Sequence, residues 1–307
     1  MDFEEIRKMI IVSLFADDDL YERFVLKGGN ALLAHGVNKR ASMDIDVSIN
    51  GSFSDDEIAN IKDILEKNLD ETFRRKKHTV IDVKLKKHPF KLPPDKQKFW
   101  GGCQLEFKIV SLENKKKFDK GEIVKQQLRQ SASVIGEKQL KTFKVDISHF
   151  EYCEKKEEKE IDGFPIYIYT PIIIIYEKLR AICQQQEEYK KLIGVKVTPR
   201  ARDFFDIYSI LEHHKDCDNI KENILKEENL KDLKEIFSLK KVPLDLLDNI
   251  ENYRSFHEED FVSVEPNVKN IKLESYDFYF DYTLSLAKKI LKELANLGIL
   301  DNTTSTS

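Results

Sequence analysis

Apolar residues recur at helical spacing over residues 2 to 16, at Ile6, Met9, Ile10 and Leu14, and predict a helix. The acidic run Asp17-Asp18-Asp19 then suits the opening turn of a second one. Phe24-Val25-Leu26 is a short apolar run halted by Gly28-Gly29, and Ala31-Leu32-Leu33-Ala34 beyond it favours helix, so the segment reads as strand, glycine turn and helix start. Met43 to Ile49 alternates with period two and reads as a strand, and Ser54 with Glu57 forms a capping-box pattern before a helix reaching about Phe73. Val80 to Leu85, Leu105 to Val110 and Phe143 to Ile147 alternate and are rich in β-branched or aromatic residues, so three more strands are expected. Ile123 to Leu128 reads as a helix or an insertion, Glu151 to Glu160 as a charged turn, and Phe164 to Tyr169 as a further strand.

The pattern changes at Thr170-Pro171, where a cap residue and a proline at the first helical position open a helix to about Gln186. Only helices follow, over Arg202 to Glu212, Asn229 to Ser238 and Glu274 to Asn296; the last carries Phe280, Leu284, Leu291 and Leu294 on one face. The expectation is an α+β chain with a mixed sheet flanked by helices in residues 1–169, a helical domain in residues 170–300 and a disordered tail in residues 301–307. The longest unbroken apolar run, Ile172 to Tyr176, falls far short of the roughly 20 residues of a membrane span. An acidic start, Met1-Asp2-Phe3-Glu4-Glu5, does not match a secretory signal, and a cytoplasmic location is expected. Cys103, Cys153, Cys183 and Cys217 form no C-x-x-C pair, so reduced thiols are expected rather than a zinc site.

Charge adds a second feature. The 307 residues carry a net charge of −4, yet Glu71 to Val145 holds 20 basic against 8 acidic residues. Arg74-Arg75-Lys76-Lys77, Lys84, Lys86-Lys87 and Lys115-Lys116-Lys117 suit either a phosphate-bearing partner or a solvated face. Trp100, beside Gly101-Gly102, suits base stacking or a place in the core. The seven histidines are scattered and define no catalytic pattern.

Two constellations carry chemistry. In the first, Lys27-Gly28-Gly29-Asn30 precedes Asp44-Ile45-Asp46. Aspartates at i and i+2 of a strand share a face and suit Mg²⁺, while a glycine pair opening a helix lets backbone N–H groups approach a phosphate. In the second, Glu177-Lys178-Leu179-Arg180-Ala181 is followed by Arg202-Asp203-Phe204-Phe205-Asp206. Lys178 lies in an otherwise apolar helix, where an ammonium needs an anionic partner. Asp203 and Asp206 share a helix face, and an Arg–Asp pair at a helix start is also a plain dipole device.

Together these segments resemble the AbiEii/AbiGii toxin family of the DNA polymerase β-like nucleotidyltransferase superfamily, found in type IV toxin–antitoxin and abortive-infection systems. Leu26 to Asp46 is similar to that family's L-K-G-G-x-A-L and S-x-D-I-D, the latter as Ser42-Met43-Asp44-Ile45-Asp46; Glu177 to Ala181 and Arg202 to Asp206 are similar to E-K-L-x-A and R-D-x-x-D. The resemblance spans roughly Phe24 to Leu211. It implies a nucleotidyltransferase-like fold, Asp44 and Asp46 as ligands of a two-metal Mg²⁺ site, and Gly28 and Gly29 at the triphosphate. Lys27, Lys178 and Asp203 match positions used for nucleotide handling and activity. Asn30 departs from the commoner small hydroxyl residue, though its amide can donate to a phosphate. A third carboxylate is expected on a later strand, Asp146 in preference to Glu106.

The implied reaction transfers a nucleoside monophosphate from an NTP to an acceptor hydroxyl, with tRNA modified at its 3′ end as the leading acceptor. Growth inhibition and a separately encoded antitoxin are implied with it. Three other readings remain at this point: transfer to a protein or small molecule, a nucleotide-binding module without transfer activity, and a metal-dependent nuclease. The presence of Asp44, Asp46, Lys178 and Asp203 argues against a degenerate module.

Overall fold

A computed structural model describes residues 1–37, 44–134, 140–194, 196–264 and 273–300. Ser42 and Met43 of the first motif and the 301–307 tail lie outside the described residues. Two compact units result, one ending at Tyr169 and the other beginning at Thr170; a short segment from Leu32 groups with the second.

In the first unit, α1 (Phe3–Leu14) is capped by Asp2 and α2 (Asp18–Arg23) by Asp17, each side chain accepting from a backbone N–H three residues on. Strand β1 (Val25–Lys27) runs directly into α3 (Gly28–Ala34), and β2 (Ile45–Ser48) follows. The capping box forms at α4 (Asp55–Arg74), with Glu57 N–H donating to Ser54 Oγ and Ser54 N–H to Glu57 Oε2. Strands β3 (His78–His88) and β4 (Gly102–Ser111) are longer than their sequence pattern indicates, because the pairing continues through the polar residues Lys86 to His88 and Gly102 to Gln104. Helix α5 (Leu112–Asp119) takes up Lys115-Lys116-Lys117, and α6 (Lys125–Gln130) occupies the region read as helix or insertion. Beyond β5 (Phe143–Ser148), the expected charged turn is corrected: β6 (Lys156–Ile161) forms a hairpin with β7 (Phe164–Tyr169). Its Lys-Glu-Glu-Lys-Glu-Ile sequence hides the strand from a hydrophobicity reading, but an edge strand tolerates charge on both faces.

The seven strands order as β3-β4-β5-β2-β1-β7-β6. β2 lies parallel to β5 and β1 parallel to β7, while the other neighbours are antiparallel. One face carries Ile45, Val47, Leu105, Phe107, Val145 and Ile147, all buried. Each such side chain contributes about 1.5–3 kcal/mol by leaving water. Residues between them face the other way, and these include both strand aspartates. At Gly102, an added Cβ would stand 2.1 Å from the Ile147 carbonyl oxygen, so the β4–β5 approach requires glycine.

The second unit contains α7 (Pro171–Cys183), α8 (Glu187–Ile193), α9 (Ala201–His213), α10 (Cys217–Asn223) and α11 (Glu227–Leu239), followed after a 3₁₀ stretch (Leu244–Tyr253) by α12 (Arg254–Glu258) and α13 (Tyr276–Asn296). Thr170 is the N-cap of α7 and proline opens the helix, as expected, although the Thr170 side chain makes no cap bond. The core joins Ile175 and Leu179 with Phe204, Ile207, Leu233, Phe237, Phe280 and Ile290, all essentially inaccessible. Phe204 stacks on Phe280 with centroids 5.1 Å apart. No helix among the described residues is long and apolar enough to cross a membrane.

Candidate functional site

The sheet register gathers polar residues from opposite ends of the first unit. Asp46 lies opposite Lys27 of β1 on one side and Asp146 of β5 on the other; Asp146 in turn faces Gln104 of β4, and Gln104 faces Lys86 of β3. Directly paired residues project to the same face, so these five form a row across the sheet. Asp46 and Asp146 are half-buried at its centre. Gln104 Nε2 donates to Asp146 Oδ1 at 2.8 Å. Lys27 Nζ donates to Ser148 Oγ at 2.9 Å and lies 3.5 Å from Glu151 Oε1. Glu106, the alternative third carboxylate, is one strand further from β2 and pairs with Lys144 at 3.4 Å.

Gly28 closes against this row. Its φ is +63°, and a Cβ there would lie 3.0 Å from Asp46 Oδ2, so only glycine leaves the space beside that carboxylate open. Gly29 follows it in the first turn of α3. Asp44 precedes β2 and is exposed, and its backbone is tied down: Asn30 Nδ2 donates to the Asp44 carbonyl at 2.8 Å. Asn30 Oδ1 accepts from Arg7 Nη1 at 2.9 Å. Asn30 is 2% exposed, so its carboxamide joins α1 to the segment that presents Asp44 and is turned inward rather than toward a ligand. Burial holds the Arg7 guanidinium below its ordinary pKa.

Among the described residues no three or more metal-ligating side chains converge. Mg²⁺ does not require such a cage: one or two carboxylates with water and substrate phosphates suffice. The oxygen-only donors Asp44 and Asp46, together with the space that a Cβ at Gly28 would fill, fit that requirement.

The second constellation folds within the helical unit. Lys178 Nζ donates to Asp203 Oδ1 and to Asp206 Oδ2, both at 2.7 Å, so a buried ammonium on α7 holds two buried carboxylates on α9. Burial pushes the lysine pKa down, but attraction to the two aspartates outweighs it and leaves the group above its ordinary value. Asp203 is pushed up by burial yet held below the usual carboxylate range, chiefly by Lys178. Arg200 Nη1 adds a contact 3.7 Å from Asp203 Oδ2. Glu177 is held locally by Arg180 at 2.6 Å.

Asp206, read from the sequence as sharing a helix face with Asp203, emerges as an equal partner of Lys178. One participant escaped sequence reading: His257 lies 54 positions beyond Asp203, accepts the Arg200 backbone N–H on Nδ1 at 3.0 Å and packs on Phe204. Burial lowers its pKa to about 4.

The family model described as "Nucleotidyl transferase AbiEii toxin, Type IV TA system" matches residues 10–281. The chain belongs to the AbiEii family. It is therefore a nucleotidyltransferase toxin of type IV toxin–antitoxin systems, with an NTP as substrate and an antitoxin as counterpart. Similar solved structures include a candidate nucleotidyltransferase from H. pylori, at 16% identity and TM-score 0.46, over 96% of this chain and 95% of that one. JHP933 from Helicobacter pylori matches at 15% identity and TM-score 0.41, over 96% and 93%. An antigenic nucleotidyltransferase-like protein from Paracoccidioides brasiliensis matches at 14% and 0.35, over 77% and 94%. No curated protein sequence matches the chain.

Proposed function

We propose that this AbiEii protein transfers a nucleoside monophosphate to the 3′ end of tRNA in a Mg²⁺-dependent reaction, and that Asp44, Asp46 and Asp146 carry the chemistry. The observation that supports this most is the register setting Asp46 between Lys27 and Asp146, with Gly28 against its carboxylate. Asp44 and Asp46 would hold the metal, which when bound supplies charge neutralisation at the phosphates and acidifies the attacking hydroxyl.

The chain's own groups supply the rest. Gly28 and Gly29 present backbone N–H groups at the start of α3 and keep side chains away from the triphosphate. Lys27, on the same row, offers a cation beside the reacting carboxylates. Asp146, oriented by Gln104, accepts the proton of the acceptor hydroxyl. The new bond joins that oxygen to the α-phosphorus while the bond from the α-phosphorus to the bridging oxygen breaks, and pyrophosphate leaves. Lys178 uses two of its three donors on Asp203 and Asp206, and this buried trio supports the role in nucleotide handling that the family motif implies for Lys178 and Asp203. Asn30 positions Asp44 through its backbone. The basic surplus between Glu71 and Val145 supports a polyanionic acceptor.

The test supplies purified protein and Mg²⁺ with each α-labelled NTP, using intact tRNA or tRNA whose 3′-terminal diol has been oxidised. Label confined to intact tRNA is expected. Equal labelling of oxidised tRNA, or label on protein alone, would refute the acceptor assignment.

A further inference from the structure

Away from the aspartates, the first unit has a cavity of about 180 Å³. Phe53, Phe90, Trp100, His149 and Phe150 supply rings to it, with Lys87 among the polar residues. Phe53 meets His149 edge to face at 5.2 Å, fixing one wall. Phe90 is 83% exposed, an unusual position for a phenylalanine, and Trp100 is half-buried. The volume corresponds to about six waters, room for a single planar ring system.

Its position relative to the aspartates follows from the strand register. His88, Gly102 and Ser148 lie opposite one another, two residues along from Lys86, Gln104 and Asp146. At about 3.3 Å per residue the cavity edge therefore begins about 7 Å from the Asp146 level. Lys84 and Lys86 are exposed on the edge strand, and Lys86 lies three strand spacings, about 14 Å, from Asp46. Lys91 and Lys98 are exposed on the loop carrying Phe90 and Trp100. Rings that stack a base, lysines that meet its phosphates and proximity to a transfer site together match single-stranded nucleic acid.

We propose that this cavity takes one unpaired nucleobase of the RNA acceptor, stacked by Phe90 and Trp100; the inference rests on the reading above of an RNA-directed transferase. Bases bind it by stacking and the lysine rim holds the adjoining phosphates, so affinity is shared between a salt-insensitive and a salt-sensitive part.

Trp100 is the only tryptophan in the chain, so fluorescence excited at the red edge of tryptophan absorption, where the tyrosines absorb little, reports on this cavity. The full-length protein is titrated with a short unstructured RNA and, separately, with inorganic polyphosphate, and the RNA titration is repeated with Phe90→Ala. Quenching by RNA but not by polyphosphate is expected, with affinity reduced about tenfold in Phe90→Ala. Absent quenching, equal quenching by polyphosphate, or undiminished affinity in Phe90→Ala would overturn the proposal. Nucleotide transfer is scored in parallel. RNA labelled without Trp100 quenching sinks the cavity assignment alone, whereas quenching without labelling sinks the transfer reading and leaves the cavity as an RNA site.

Discussion

Replacing Lys178 with methionine keeps the length and much of the volume of the side chain while deleting its charge, leaving Asp203 and Asp206 buried without their shared cation. Both carboxylates lie 2.7 Å from the ammonium, and all three residues are less than a tenth exposed. Removing one partner from such a buried group costs about 3–5 kcal/mol, a large part of the 5–15 kcal/mol that holds a typical protein folded. Arg200, 3.7 Å from Asp203, offsets part of this and places the expected loss near the lower end. Urea unfolding followed by circular dichroism measures it as a lowered midpoint. The triple variant Lys178→Met, Asp203→Asn, Asp206→Asn removes the stranded charges and should recover most of the lost stability without recovering transfer activity. An unchanged midpoint in Lys178→Met, or a triple variant less stable than the single one, would refute the reasoning.

Other predictions follow from the same contacts. The His257 pKa is lowered by burial to about 4 against 6.5 when exposed, so the unfolded chain binds more protons between these values; stability should fall by up to about 3 kcal/mol as pH drops from 6.5 to 4, and His257→Phe should flatten that slope. Raised Lys178 and lowered Asp203 hold their contribution between the ordinary carboxylate and lysine pKa values, so they add no slope from about pH 5 to 9. Asn30→Ala strands the Arg7 guanidinium and the Asp44 carbonyl; about 1–3 kcal/mol of stability should be lost, with a raised Mg²⁺ requirement in transfer assays, and an unchanged Mg²⁺ requirement would show that Asn30 does not position Asp44. Gly28→Ala combines a positive φ with a Cβ 3.0 Å from Asp46 Oδ2, so thermal melting should register a loss of about 1–2 kcal/mol while transfer falls far more steeply.

Much of this architecture was legible from residue pattern, because the elements concerned obey local rules. The Ser54–Glu57 box, the two-residue alternation of Phe143 to Ile147 and the proline at the start of α7 are decided within a few residues of chain. Strand β6 was not legible, since its pairing with β7 stabilises a segment whose own side chains are mostly charged. The glycine pair and Asp44-Ile45-Asp46 were visible as chemistry. Asp146 came only through the family resemblance, in preference to Glu106, and Gln104 not at all, because both join Asp46 through register across β2, β5 and β4, which no local spacing encodes. Asn30 looked available to a phosphate because the sequence hides Arg7, 23 positions away, which accepts no role until the fold brings it to the amide. His257 was invisible for the same reason.

The central claim is that Asp46 organises nucleotidyl transfer to an RNA 3′ end. Its most direct test compares wild-type protein with Asp46→Asn under single-turnover conditions, following α-label into tRNA while circular dichroism and NTP binding are monitored. The account predicts a folded, NTP-binding variant with transfer reduced at least a hundredfold, about 2.7 kcal/mol or more in barrier. Transfer at the wild-type rate by a folded Asp46→Asn protein would contradict it.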